Sequence, residues 1–175
     1  MKVGNGLEEG VAQGPLIDMK AVEKVEEHVH DAVAKGARVL TGGKRHAKGG
    51  SFYEPTVLAD VKTNMKITHE ETFGPVAPLF RFKDEAEVIR MANDSEYGLG
   101  GAVWTKDINR AFRVARAIET GRMWVNNYNT LPAHAPFGGY KKSGIGRETH
   151  KMMLEHYTQK KNIFISLSED KVGFY

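Results

Sequence analysis

Glu71 and Phe73 stand two residues apart in the run Glu70-Glu71-Thr72-Phe73-Gly74-Pro75-Val76, just before a Gly-Pro turn. A carboxylate can accept hydrogen bonds from two vicinal hydroxyls, as on a ribose, and an aromatic face can pack on a flat ring. Exposed acidic residues are commonplace, so chemistry alone favours the plainer reading of two solvated glutamates and a core phenylalanine. A second run, Pro136-Phe137-Gly138-Gly139-Tyr140-Lys141-Lys142-Ser143-Gly144-Ile145-Gly146-Arg147-Glu148, carries four glycines within nine residues and permits tight turns and close backbone approach. It is not a phosphate loop. Gly144 and Gly146 follow a loop rather than a strand, the third glycine of a dinucleotide fingerprint is missing, and the Walker pattern is absent.

Other chemistries find no support. His28 and His30 are two apart on an expected helix and point to different faces, so they cannot chelate together. His69-Glu70 lacks the second histidine of a zinc-protease motif, and His150 and His156 are poorly spaced. The histidines are therefore expected on the surface or in loops, and no metal site is expected. Ser143 lies in Lys-Ser-Gly rather than in a nucleophile elbow. Cysteine is absent, which excludes disulfides, thiolate metal sites and a cysteine nucleophile within this chain.

The elements that must position these residues alternate between helix and strand. Asp18 is an expected N-cap for a helix with Val22, Val25, Val29, Ala32 and Val33 on one stripe, closed by Gly36. Strands are expected at 37–40, 52–58 and 76–82, with Pro55 favouring an edge or irregular position. Asp84 and Glu87 form a capping-box-like pair before Val88, Ile89, Met91 and Ala92. A strand over 100–105 leads to a third helix capped by Asp107, with Ile108, Ala111, Phe112, Ala115 and Ile118 on one side. After a strand over 123–126 comes a long ordered loop, 127–146, then a short helix near 148–155. This alternation implies an α/β fold with a mainly parallel sheet covered by helices. Residues 162–168 alternate, with Ile163, Ile165 and Leu167 on one face, and read as a terminal strand open to a partner sheet.

The composition is that of an ordinary globular protein: 175 residues, 41% hydrophobic, 27% charged. The length suits one domain or a large piece of one. The net charge of +3 is scattered, with no clustered basic face, so nucleic acid is not an expected partner. No apolar run approaches the roughly 20 residues that span a bilayer. The first six residues lack the apolar stretch of a signal peptide, and a cytoplasmic location is the default expectation.

Taken in order, several segments resemble the NAD(P)-dependent aldehyde dehydrogenase superfamily. They are Gly14-Pro15-Leu16-Ile17, Glu54-Pro55-Thr56-Val57, Glu70-Glu71-Thr72-Phe73-Gly74-Pro75 and Asn93-Asp94-Ser95-Glu96-Tyr97-Gly98-Leu99. Trp124-Val125-Asn126, Pro136-Phe137-Gly138-Gly139-Tyr140-Lys141 and Ser143-Gly144-Ile145-Gly146-Arg147-Glu148 continue the match. The similarity covers essentially the whole chain and corresponds to the C-terminal third of such an enzyme, close to acetaldehyde and succinate-semialdehyde dehydrogenase-like members.

The resemblance implies that residues 1–156 form part of a catalytic domain and 157–175 an oligomerisation strand and tail. It implies that Glu71 holds the nicotinamide ribose hydroxyls, that Phe73 lies beside the nicotinamide, and that Lys24 reaches the cofactor's sugar. Leu131 and Phe137 match positions lining the aldehyde tunnel, and Asn126 would support the loop above its strand. In the family a thiolate attacks the aldehyde, an asparagine and a backbone N–H hold the oxyanion, and a glutamate base activates water. All three side chains, and the dinucleotide-binding fold, precede the matched region, Met1 falling shortly after the cysteine. No catalytic residue is therefore expected here. The isolated chain is expected to be inactive and to bind NAD or NADP only weakly, the alternative being a non-catalytic module that folds or oligomerises. Expected partners are a small aldehyde, the N-terminal remainder of the enzyme and further copies of the chain. The loop from Asn127 to His134 carries no arginine and leans towards small aliphatic aldehydes, whereas the N-terminal stretch resembles succinate-semialdehyde enzymes.

Overall fold

The computed structural model describes residues 1–170 and 173. It divides into two compact units, Met1–Glu96 with Arg116–Ile118, and Tyr97–Ala115 with Glu119–Tyr175.

The first unit is organised by α1, Met19–Ala34. Asp18 caps it as expected, its carboxylate accepting from Ala21 N at 2.8 Å, and Gly36 follows in the left-handed region at φ 97°. Val22, Val25, Val29 and Ala32 are buried, while Val33 in the last turn is half exposed. That stripe packs with Tyr53, Leu58, Val61, Met65 and Ile67 into one core. Burial pushes the Tyr53 phenol up to about 12, so it stays neutral.

Three strands cover the core: β1 (Arg38–Thr41), β2 (Thr56–Ala59) and β3 (Val76–Pro78). β2 is central, antiparallel to β1 with Val39 opposite Leu58, and parallel to β3 with Val57 opposite Ala77. Being central, β2 is the most deeply buried strand. Beyond β3, α2 spans Glu85–Asn93 and is capped by Asp84, which accepts from Glu87 N at 2.8 Å. Glu87 reaches back to Lys83 N, one residue beyond the N-cap N–H that a full capping box uses. None of its residues is fully buried.

In the second unit β4 (Tyr97–Gly98) pairs antiparallel with β7 (Tyr140–Lys141). β5 (Gly100–Val103) pairs parallel with β6 (Arg122–Val125), the crossover being α3 (Ile108–Ala117). Asp107 caps α3, accepting from Asn109 N and Arg110 N. A 3₁₀ turn, Lys151–Met153, leads into α4, Leu154–Tyr157.

Two expectations need correction. The sheet is not mainly parallel: among the described residues two pairings are parallel and two antiparallel, spread over three small sheets. The connection 42–55 contains no helix and folds straight back, which gives an antiparallel pair; parallel pairs need a crossover, as α3 provides. The apolar face of α3 is narrower than expected, with Ala111 and Val114 buried but Ile108 and Phe112 more than half exposed. Only the i, i+3 pair Ala111 and Val114 is fully covered. Residues 162–168 pair with no strand among the described residues of the chain, and the partner sheet expected for them belongs to another copy. An extended segment becomes a strand only through a paired neighbour, and Ile163, Phe164, Ile165 and Leu167 are all at least 71% exposed. Of the expected tail, residues 171, 172, 174 and 175 lie outside the described residues. Among the described residues no helix is long and apolar enough to cross a membrane, and no cluster of three potential metal ligands occurs.

Two measurements check this arrangement. Leu58→Ala should cost about 2–5 kcal/mol in urea unfolding, whereas Leu7→Ala, at an exposed site, should cost almost nothing. Asp60 accepts from Arg38 Nε at 2.7 Å and Arg81 Nε at 3.2 Å. The Arg38 guanidinium, and after it that of Arg81, holds its carboxyl below the ordinary value of 3.8. Such a depressed group stabilises the fold fully above its unfolded value and loses the contribution as pH falls through its folded value. The stability of the native chain should therefore fall more steeply on acidification below about pH 4 than that of Asp60→Asn.

Candidate functional site

The run 70–74 is an irregular loop laid along α1. Its approach is fixed first. A 3₁₀ turn, Lys66–Thr68, is tied to the helix by Lys66 N donating to Asp31 Oδ2 at 2.8 Å, and by an ion pair between the Lys66 ammonium and Glu27. The hydrogen bond from Lys35 and that from Lys66 N hold the Asp31 carboxyl below its ordinary value, and Lys66 does the same for Glu27. Glu70 N then donates back to Lys66 O at 3.0 Å.

Beyond Glu70 the loop is held by side chains of α1. Lys24 Nζ donates to the carbonyl of Glu71. One turn on, His28 sits with Nδ1 3.0 Å from Thr72 Oγ1 and Nε2 3.2 Å from Glu70 Oε2. Gly74 closes on the same helix face: a Cβ there would lie 2.3 Å from Val25 Cγ2, so only glycine fits.

These contacts leave the two expected cofactor residues facing outward. The Glu71 carboxylate is exposed, and among the described residues it has no hydrogen-bond or ion-pair partner. Phe73 is 75% exposed and takes the left-handed region at φ 50°, where a bulky side chain is strained. A free carboxylate beside a bare aromatic face suits a vicinal diol next to a flat ring. Thus Lys24 and Glu71 are brought together, with Phe73 two residues along.

His28 overturns the expectation of surface histidines, since it is fully buried. Its position carried the signal: it lies three residues after Val25 and beside Val29, on the inward stripe of α1. A buried polar residue there needs hydrogen-bond partners, and the loop supplies them.

Leu131 and Phe137 belong to the second unit, on the loop 127–146. Leu131 is half exposed, and Phe137 is partly buried with its backbone paired to Glu148, N to O at 3.0 Å. Thr130 O accepts from Trp124 Nε1 at 2.9 Å and Arg122 Nη2 at 3.0 Å. Asn126, at φ 53°, supports the loop's start: its side chain accepts from Thr105 N at 2.8 Å and donates to Thr105 O at 2.9 Å. The glycine-rich run is a close-packed frame and not an anion cradle. A Cβ on Gly121 would fall 1.7 Å from Gly138 O, and one on Gly138 would fall 2.5 Å from Gly146 O.

Comparison with known proteins places the chain in a family. A family model described as the aldehyde dehydrogenase family matches residues 1–163. The chain is 55% identical over 159 residues to a glutarate-semialdehyde dehydrogenase of Pseudomonas aeruginosa, covering 91% of this chain and 33% of that protein. It is 53% identical over 167 residues to an NADP(+) succinate-semialdehyde dehydrogenase of Escherichia coli, covering 95% and 35%. Among solved structures, a betaine aldehyde dehydrogenase from Staphylococcus aureus in complex with NAD+ matches with a TM-score of 0.91 at 43% identity, over 99% of this chain and 35% of that one. The chain thus spans about a third of the length of the relatives it matches.

The frame around Phe137 is tested by Gly121→Ala. Overpacking against the Gly138 carbonyl should destabilise the second unit by about 1–3 kcal/mol, with the amides of Phe137 and Glu148 losing protection from hydrogen exchange. Unchanged protection at both amides would contradict the described packing.

Proposed function

Because the chain belongs to the aldehyde dehydrogenase family, we propose that it is the C-terminal part of an NAD(P)-dependent enzyme that oxidises an aldehyde to a carboxylic acid. The observation carrying this reading is the unpartnered Glu71 carboxylate presented beside the exposed Phe73 ring. Glu71 would accept hydrogen bonds from the nicotinamide ribose diol, Phe73 would pack against the ring, and Lys24 would fix the Glu71 backbone. NAD(P), when bound, supplies the hydride acceptor. Leu131 and Phe137 would give the aldehyde an apolar wall, in a loop held by Asn126, Trp124 and Arg122.

The semialdehyde of a short dicarboxylic acid is the substrate class we favour, supported by the names of the two relatives at 55% and 53% identity. The small aliphatic aldehydes suggested by loop composition take second place. Residues 157–168, with their exposed Ile163, Phe164, Ile165 and Leu167, would pair with another copy's sheet in a homo-oligomer. The thiol that the family's chemistry uses has no counterpart in a chain without cysteine, so the nucleophile must come from the remainder of the enzyme.

Two assays test the proposal. The purified 175-residue chain, given succinate semialdehyde and NAD or NADP, should form no reduced cofactor; reduction would overturn the assignment of the nucleophile to another segment. In a chimaera carrying the matched 167-residue stretch of this chain in place of the matching third of the Escherichia coli relative, Glu71→Gln should raise KM for NADP about tenfold, with little change in KM for the aldehyde. An unchanged KM for NADP would remove Glu71 from the cofactor site.

A further inference from the structure

We propose that His28 is a positioning residue for the cofactor loop: by bridging Glu70 and Thr72 it fixes the residues on both sides of Glu71, so that the carboxylate between them is held ready for its ligand. The proposal rests on the reading of Glu71 given above.

The geometry is unusual for a core histidine. Its ring is fully buried on the stripe of α1 that also holds Val22, Val25 and Val29, yet both ring nitrogens face one short loop. Those contacts straddle a single residue. Glu70 and Thr72 are turned towards the helix, which directs the intervening Glu71 side chain away from it into solvent. Lys24, one helical turn earlier, takes the Glu71 carbonyl, so the main chain of that residue is held as well. Val25 against Gly74 completes a row of contacts that lock the loop at 70, 71, 72 and 74.

The bonding chemistry sets the ring's roles. A carboxylate only accepts, so Nε2 carries a proton directed at Glu70. With a neutral ring Nδ1 is then the acceptor, and the Thr72 hydroxyl donates to it. This arrangement satisfies both nitrogens of a buried ring, as a buried polar group requires. It also fixes the Thr72 side chain next to Phe73, whose left-handed backbone persists only where its surroundings enforce it. Preorganisation of this kind lowers the ordering cost of binding without adding a contact to the ligand.

The test leaves His28 in place, because the core depends on it, and alters its partners in the 175-residue chain. Thr72→Val and Glu70→Ala each remove one contact; Thr72→Ser and Glu70→Gln retain an oxygen that can make it. A glutamate-specific protease reports the loop directly through cleavage after Glu71, a rate set by how often the loop opens. Cleavage should accelerate about two- to tenfold in Thr72→Val and Glu70→Ala, beyond what any fall in Tm accounts for, and return to the native rate in Thr72→Ser and Glu70→Gln. The ¹⁵N resonances of His28 should show a protonated Nε2 and an unprotonated Nδ1 in the native chain. Equal cleavage rates in all five proteins, or the opposite tautomer, would overturn the proposal. In the chimaera Thr72→Val should raise KM for NADP by a similar factor and leave kcat nearly unchanged. If Glu71→Gln does nothing there, the cofactor reading fails while the cleavage series still decides whether His28 holds the loop.

Discussion

The first unit depends on one contact surface, the inward face of α1. The same stripe that buries Val22, Val25 and Val29 against Leu58 and Met65 also presents Lys24 and His28 to the loop 70–74. A helix repeats its faces every three to four residues, so apolar and polar anchors alternate along one line without a break in the core. The core therefore fixes the helix, and the helix fixes the loop. No strand or separate domain is needed to give Glu71 a defined orientation. This economy has a cost: any shift of α1 relative to β2 is transmitted to the loop through at least three side chains.

Much of this was legible in the residues. Asp18 and Gly36 bracket α1, and Asp84 and Asp107 mark the other two long helices, because capping is a local demand that a sequence expresses locally. The ordered motifs identified the family and the candidates Glu71, Phe73 and Lys24. What escaped was set by distant partners. Whether 42–55 returns antiparallel depends on which edges are available rather than on alternation. His28 escaped for the same reason: a histidine on an inward stripe is unintelligible until Glu70 and Thr72, more than forty residues later, are seen beside it.

The loop 70–74 and the loop 127–146 are built by different means. The cofactor loop is irregular but leans on a long, well-buried helix. The loop 127–146 belongs to a unit with only small sheets and relies on close backbone contact among glycines instead. At Gly121 and Gly138 the carbonyl of another loop residue occupies the space a side chain would need. Glycine serves there as a spacer of zero thickness and not as a hinge.

Around its middle, the bonds that hold this second loop run to its main chain. Thr130 O is gripped by Trp124 and Arg122, Ala133 O by His150 N, Ala135 O by the Thr149 hydroxyl, and Gly139 O by Arg147. Phe137 is held through its own N and O. The side chains at 131, 132, 134 and 136 are therefore released from any structural duty that these bonds perform. An insertion would break the ladder of carbonyl contacts, but an exchange of the side chains at those four positions would not. Such a loop can diversify its chemistry while keeping its length, like a type case whose letters are replaced and whose slots are not.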